Sequence, residues 1–245
     1  MTGPALPPGY RLIERDSVGS TNDEARALVA SGAPAGIVVW AHSQTAGRGR
    51  QGRQWASPPG NLYCSIILRP PIDVARLAEM SFVAALAVRD TVTAILPRAV
   101  VSLKWPNDVL VDGRKIAGIL VEAEKLPGEA HSALVVGIGI NLASAPREAE
   151  YPAISAAALG QAAKPAATLA ALVANLDRCI TIWNKKGFLP IRDEWISHAH
   201  GIGTEIAASG GINGRFAGLD ESGAILISMA DGQTRRVVSG SIRYL

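Results

Sequence analysis

The chain is short of the residue types that mark several large functional classes. It has only two cysteines, Cys64 and Cys179. They lie far apart on apolar segments, which excludes a disulfide framework and points to a reducing cytoplasm. The four histidines are scattered without metal-ligand spacing. No apolar run reaches the roughly 18 residues of a membrane span, and the opening MTGPALPPGYRLIERD has no apolar signal core. Neither membrane association nor export is expected. The four polar segments described below supply no Ser-His-Asp set, no catalytic Cys-His pair and no paired carboxylic acids. Charge is also sparse: 18% of residues are ionic and the net charge is +3, small for a protein that tracks duplex DNA. Acidic residues are missing altogether between Glu24 and Asp73.

What is present is an ordinary globular composition, 48% hydrophobic over 245 residues, enough for one large domain or for one with a small satellite. Residues 10–15 alternate like a strand. STNDEARALVASG (20–32) reads as a helix with Ser20 or Thr21 as N-cap and Asp23 or Glu24 as its box partner. GIVVWAHS (36–43) and NLYCSIILR (61–69) read as strands. A helical period runs from Asp73 to Leu96, and another links Leu169, Leu172, Val173, Leu176, Ile180 and Trp183. Between them, VVSLKW, VLV-DG-RKIAGILVEAE and ALVVGIGINL predict strands with a hairpin turn at Asp112-Gly113. After about residue 200 short β segments alternate with Gly, Asp and Ser turns. The pattern predicts an α+β fold: a mixed sheet with helices over residues 1–198, then a small SH3-like all-β domain over 199–245. So small a unit is expected to lean on the larger one to complete its core.

The stretch QTAGRGRQGRQW (44–55) matches three weak patterns at once. Gly47, Gly49 and Gly52 fit the dinucleotide fingerprint, Gly47 and Gly52 have P-loop spacing, and three arginines could form a nucleic-acid patch. Context excludes the first, because SPPG follows where a helix should open. Arg53 and Gln54 stand where a P-loop needs Lys and Ser/Thr. The segment is therefore a long loop of another kind, a functional lid or a solvated surface loop.

Three other segments accompany it. Ser20-Thr21-Asn22 starts a helix and could simply cap it. KWPNDVLVDGRKIAGILVE (104–122) places Lys104 and Lys115 in or beside apolar strands, where a lysine must snorkel or meet an anion. Its Pro106-Asn107-Asp108 turn offers an amide and a carboxylate. GIGINL (137–142) puts glycines in a strand, which permits close backbone approach or close packing. Together the four segments supply at least five cations and several amides, with the carboxylate of Asp108 at a potential Mg²⁺ position, an inventory suited to phosphoryl or nucleotidyl transfer.

Taken in order, Ser20-Thr21-Asn22, GRGRQGRQW with SPPGNLY, KWPNDVLVDGRKIAGILVE and GIGIN resemble the biotin protein ligases over about residues 10–245. The resemblance implies a two-step reaction in which biotin and Mg-ATP give biotinyl-5′-AMP and a lysine of a biotin carboxyl carrier domain then takes the biotin. It implies that the 44–55 loop is a lid whose arginines repel one another until an anion arrives. It assigns Ser20, Thr21, Asn22, Gln44, Gly47, Arg48, Gly49, Arg50, Lys115 and Gly118 to biotin. Arg48, Arg53, Trp55, Lys104, Asn107, Lys115 and Asn141 fall to ATP. Lys115, Arg48 and Asp108 are the implied catalytic residues, with Asp108 also a candidate Mg²⁺ ligand. Only about nine residues precede the first strand, so a monofunctional cytoplasmic ligase without a DNA-reading module is expected, as monomer or homodimer. A lipoate-type ligase on the same fold is disfavoured by the intact GRGRQGRQW and KWPND. A nucleic-acid-binding module would need basic and aromatic residues spread over one face, and the positive charge is instead confined to the loop and the two lysine strands.

Overall fold

A computed structural model describes residues 3–72, 76–125, 131–147 and 151–245. Seven strands form one sheet: β1 (Arg11–Val18), β2 (Ile37–Gln44), β3 (Leu62–Leu68), β4 (Val101–Lys104), β5 (Asp108–Val111), β6 (Arg114–Glu124) and β7 (Ala133–Ile140). Their spatial order is β1-β2-β3-β7-β6-β5-β4. β1 and β2 run parallel, joined by the helix α1 (Thr21–Ala30), while every other neighbouring pair in this sheet is antiparallel. The β5–β6 hairpin turns at Asp112 and Gly113, with φ of 48° and 74°. Both values suit the primed turn that matches strand twist.

Helix α2 (Glu79–Ile95) is buried almost all round, including Met80, Phe82, Val83, Leu86 and Val88. Its sequence accordingly has little polar face, as expected of a helix lodged between a sheet and other helices. Residues 73–75, where the sequence period begins, lie outside the described residues. α3 (Pro165–Lys186) shows the cleaner amphipathic stripe, and Leu169, Leu172, Leu176 and Trp183 from it enter the same core as α2. By length and composition α3 could cross a membrane, against the expectation from run length, but its apolar stripe is packed in this core. It ends with Lys185 and Lys186 in the last turn and Gly187 at φ 76°. Basic residues there suit the helix C-terminus, and a left-handed glycine stops it. A further helix, α4 (Leu189–Ser197), escaped the sequence reading because it is short and only weakly amphipathic.

The C-terminal strands β8 (Glu205–Ala208), β9 (Ile212–Leu219), β10 (Ile225–Ser228), β11 (Thr234–Val237) and β12 (Ile242–Tyr244) make an antiparallel sheet ordered β11-β10-β9-β8-β12. This is the SH3-like unit expected, with the three-residue β12 as an unforeseen member. Its buried Ile206, Phe216, Ile225 and Ile227 belong to the same core cluster as α2 and the large sheet. The β9–β10 turn docks tightly. Trp105 Nε1 donates to Gly223 O at 3.1 Å, and a Cβ on Gly223 would stand 2.6 Å from the Phe82 ring. The small sheet does lean on the large one.

Candidate active site

The four sequence segments converge on one face of the large sheet, around β6 and β7. Ser20 takes the N-cap position of α1 with extended backbone, but its side chain makes no capping bond. The first amide of the helix, Thr21 N, donates instead to Gln44 Oε1 at 2.8 Å. Ser20 thus holds the expected N-cap position without a side-chain cap, and the side chains of Thr21 and Asn22 join a polar network. Thr21 Oγ1 also reaches Gln44 Oε1 at 3.2 Å, and Gln44 Nε2 donates to Ser57 Oγ at 2.8 Å. The fully buried Ser65 on β3 has its Oγ 2.6 Å from Asn22 Oδ1 and 2.8 Å from Thr21 Oγ1. Asn22 Nδ2 donates to Glu122 Oε2 at 2.7 Å. Buried polar groups are kept only when partnered, and this chain of amides and hydroxyls fixes which way each amide points. Sequence reasoning missed Ser57, Ser65 and Glu122. Their signal was a polar residue at an inward-facing or strand position, too common to single out.

The lid is not an extended loop. Gly49 N donates to Arg53 O at 2.7 Å and Trp55 N to Gly47 O at 2.9 Å, so Gly47 and Trp55 are tied across a tight hairpin. Gln51 and Gly52, at φ 56° and 73°, make its tip. Gly47 is where close approach demands glycine. A Cβ there would lie 2.5 Å from Trp55 O and 2.6 Å from Ser57 Oγ.

Nor does Arg48 wait for an anion to offset its charge. Arg48 is paired with Asp23 Oδ1 at 2.5 Å and Glu122 Oε1 at 3.2 Å. The resemblance sets Arg48 beside a phosphate; here two carboxylates hold its guanidinium. The acid-free stretch of sequence misled because the acids arrive from α1 and β6. Arg50 lies deeper, donating to Gly240 O at 3.2 Å and approaching Asn107 Oδ1 at 3.4 Å. Burial pulls its guanidinium below the ordinary value, Asp108 opposing the shift and Arg53 adding to it.

Trp55 lies flat on glycine. Gly118 and Gly139 are partners across β6 and β7, and a Cβ on either would meet the indole at 2.9 or 2.6 Å. The indole N–H is buried with no partner among the described residues, a donor left for something else. Lys115 Nζ stands 5.2 Å above the same ring and 2.6 Å from Asp108 Oδ1. The register of β5 on β6 slips between Val109 and Leu110. Beside that irregularity Lys115 bonds through its backbone to residues 152–154, N to Pro152 O at 2.7 Å and O from Ile154 N at 2.9 Å. Irregularities of this kind re-aim side chains beside active sites, and here the lysine points across the floor.

Asp108 holds a second ammonium, Lys104 Nζ, at 3.9 Å from Oδ2, and Lys104 also lies 4.5 Å from the centre of the Tyr151 ring. Neither lysine simply snorkels: Lys104 is 7% exposed and both are paired. Asn107 Nδ2 donates to Ile119 O at 2.7 Å. Asn141 closes the row at the end of β7, buried, its backbone N donating to Ile116 O at 2.8 Å. As a magnesium site this neighbourhood does not fit. Asp108 is flanked by two ammonium groups, and no group of three or more metal-ligating His, Cys, Asp or Glu side chains occurs among the described residues. The thiols are bystanders, since burial pushes Cys64 up to about 12 and Cys179 to about 11.

A buried amide–hydroxyl pocket, a glycine floor under a tryptophan, a lysine at their junction and an arginine-bearing lid define a ligase-type site on a mixed sheet with an SH3-like C-terminal unit. Residues 14–141 match the profile of the biotin/lipoate A/B protein ligase family. The chain is 40% identical over 218 residues to the biotin--[acetyl-CoA-carboxylase] ligase of Paracoccus denitrificans, covering 85% of this chain and 90% of that one. It is 35% identical over 246 residues to the bifunctional ligase/repressor BirA of Bacillus subtilis, covering 96% of this chain and 74% of that one. Among solved structures, biotin protein ligase from Aquifex aeolicus in complex with biotin and ATP superposes with a TM-score of 0.84 at 30% identity, covering 96% and 99% of the two chains. The chain belongs to the biotin/lipoate A/B protein ligase family, and these relatives place it among the biotin protein ligases.

Proposed function

We propose that this chain activates biotin with ATP and transfers it to a lysine of a biotin carboxyl carrier domain of a carboxylase. The observation that carries the reading is the position of Lys115, between the Thr21–Asn22–Gln44–Ser65 pocket and the Trp55–Gly118–Gly139 floor. A ureido ring presents two N–H donors and one carbonyl, and the pocket presents hydroxyls and amides that can answer both kinds of group. The dithiolane of lipoate offers no such donors, so the pocket's polarity would be wasted on it.

In the first step a carboxylate oxygen of biotin attacks the α-phosphorus of ATP, the bond to the bridging oxygen breaks and pyrophosphate leaves. In the second the amine of the acceptor lysine attacks the acyl carbon, AMP leaves with the bonding pair, and the amine's proton is lost. Both steps gather negative charge beside Lys115, and a preorganised ammonium there stabilises the transition state more than the ground state. Trp55 and Asn141 line the nucleotide end, Lys104 and Asn107 the side from which the phosphates or the acceptor enter. Arg50 and the backbone of Gly47–Arg50 close over the intermediate and keep water from the anhydride. Magnesium enters as the counter-ion that ATP brings. Asp108 tethers Lys115 and Lys104 instead of a metal.

In this reading residues 1–198 carry the chemistry and 199–245 form the SH3-like support, working in a reducing cytoplasm without DNA or membrane. Calorimetric titration with biotin and then with lipoate tests it, together with pyrophosphate release. The expected result is biotin binding and biotin-dependent release. Tighter binding of lipoate would replace the reading with a lipoate ligase.

A further inference from the structure

The lid reaches the C-terminal sheet through Arg50. Arg50 Nη1 donates to the backbone carbonyl of Gly240, 190 residues away, at 3.2 Å. Gly240 lies in the turn between β11 and β12, and Ser209, the residue after β8, ties that turn down through both side chain and backbone. Ser241 N donates to Ser209 Oγ at 2.9 Å, and Ser209 N returns a bond to Ser241 O at 3.0 Å. The tie is close: at φ 129° a Cβ on Gly240 would stand 2.8 Å from both Cβ and Oγ of Ser209. Only glycine lets the strand end press against Ser209 while its carbonyl is presented to the lid.

A half-buried guanidinium must be hydrogen-bonded. Arg48 is answered by two carboxylates, Asp23 and Glu122, whereas Arg50 is answered by a neutral carbonyl and the Asn107 amide. A carbonyl orients the arginine without cancelling its charge, leaving it attractive to an anion beneath the lid. The geometry points to the Ser209–Gly240–Ser241 turn as a clasp that positions Arg50 and holds the lid shut, so that the C-terminal sheet determines how long an activated acyl-adenylate is retained. Gly240 and Ser209 are positioning residues in this scheme, since neither touches a reacting atom. The inference rests on the lid covering that intermediate.

Ser209→Ala removes the hydroxyl half of the tie, leaves the backbone bond from Ser209 N to Ser241 O, and does not alter the lid. Its pyrophosphate release with biotin and ATP should stay within about twofold of wild type. Released biotinyl-adenylate acylates exposed lysines, so streptavidin blotting of serum albumin added as bystander should show several-fold more label. Arg50→Gly should leak more, and Ser209→Ala in that background should add nothing, because the contact it serves is already gone. Ser209→Thr, which keeps the hydroxyl, should behave as wild type. Tryptic cleavage after Arg50 in the protein without substrates should be faster in Ser209→Ala than in wild type. Equal bystander labelling and equal cleavage in wild type and Ser209→Ala, both folded by thermal melt, would overturn the clasp. So would full additivity of the two substitutions. Absence of pyrophosphate release from wild type would count instead against the ligase reading, and the cleavage comparison would still decide the clasp.

Discussion

Gly118 and Gly139 face each other across β6 and β7, and the indole of Trp55 rests on the space that their missing side chains leave. The two opposed glycines open a flat slot in the sheet. Two strands of the catalytic sheet and the end of the lid are thereby joined, with Lys115 standing over the same ring.

Gly139→Ala should force the indole off this floor, since a Cβ would lie 2.6 Å from its Cε2 and Nε1. Trp55 fluorescence should shift to longer wavelength and the KM for ATP should rise, with the affinity for biotin changed less. Unchanged emission and KM would remove Trp55 from the nucleotide end.

Gly137→Ala probes the opposite end. Its Cβ would fall 2.1 Å from Asn22 Oδ1, so Asn22 must rotate away from Ser65 and Glu122. Losing a buried hydrogen bond costs about 1–3 kcal/mol, so biotin affinity by calorimetry should fall roughly tenfold or more. An intact affinity would rule Asn22 out of the biotin pocket.

Lys115→Ala should slow pyrophosphate release by on the order of a hundredfold, as expected for a lost electrostatic stabiliser of about 3 kcal/mol. The melting temperature should fall as well. From sequence alone removal of a lone cation from an apolar strand looks harmless, but Lys115 stands 2.6 Å from Asp108 Oδ1, and its loss strips that buried carboxylate of its nearer partner. A rate loss under about tenfold would sink the assignment.

Glu122→Gln separates the two duties of Glu122. The amide keeps an acceptor for Asn22 but removes the charge that pairs with Arg48. The half-exposed pair contributes about 0.2–1 kcal/mol, so limited trypsin digestion after Arg48 should accelerate by up to about fivefold while biotin affinity holds. Cleavage at the wild-type rate would show that Arg48 is not a lid anchor.

Asp220 makes the C-terminal sheet sensitive to acid. Burial alone would raise its pKa, but hydrogen bonds from Arg236, Ser222 and Ala224 outweigh that and hold it at about 2, against 3.8 ordinarily. A carboxylate with a depressed folded pKa stabilises above its unfolded value and loses that contribution as pH falls toward the folded one. Asp220→Asn should therefore lower the melting temperature at pH 7, and the gap to wild type should narrow between about pH 4 and pH 2. A gap independent of pH would mean that the ionised form is not what stabilises the turn.

Period, turn chemistry and motif order are local properties, and the sequence carried them by itself. The Asp112-Gly113 hairpin, the strands through GIVVWAHS and NLYCSIILR, the amphipathic α3 and the SH3-like tail all follow from neighbours within a few residues. The order of the four polar segments was legible too, and with it the kind of chemistry. Partnership was not. Asn22 meets Ser65 across 43 residues, Glu122 across 100, and Arg50 meets Gly240 across 190. Sheet order β3-β7-β6 sets the first two of these meetings, and docking of the C-terminal sheet sets the third, through contacts that no short window contains. So the sequence marked the lid arginines as a concentrated positive charge, and only the tertiary structure supplied Asp23, Glu122 and the Gly240 carbonyl that answer them, because electrostatic and hydrogen-bonding energies fall off with distance in space and take no account of distance along the chain.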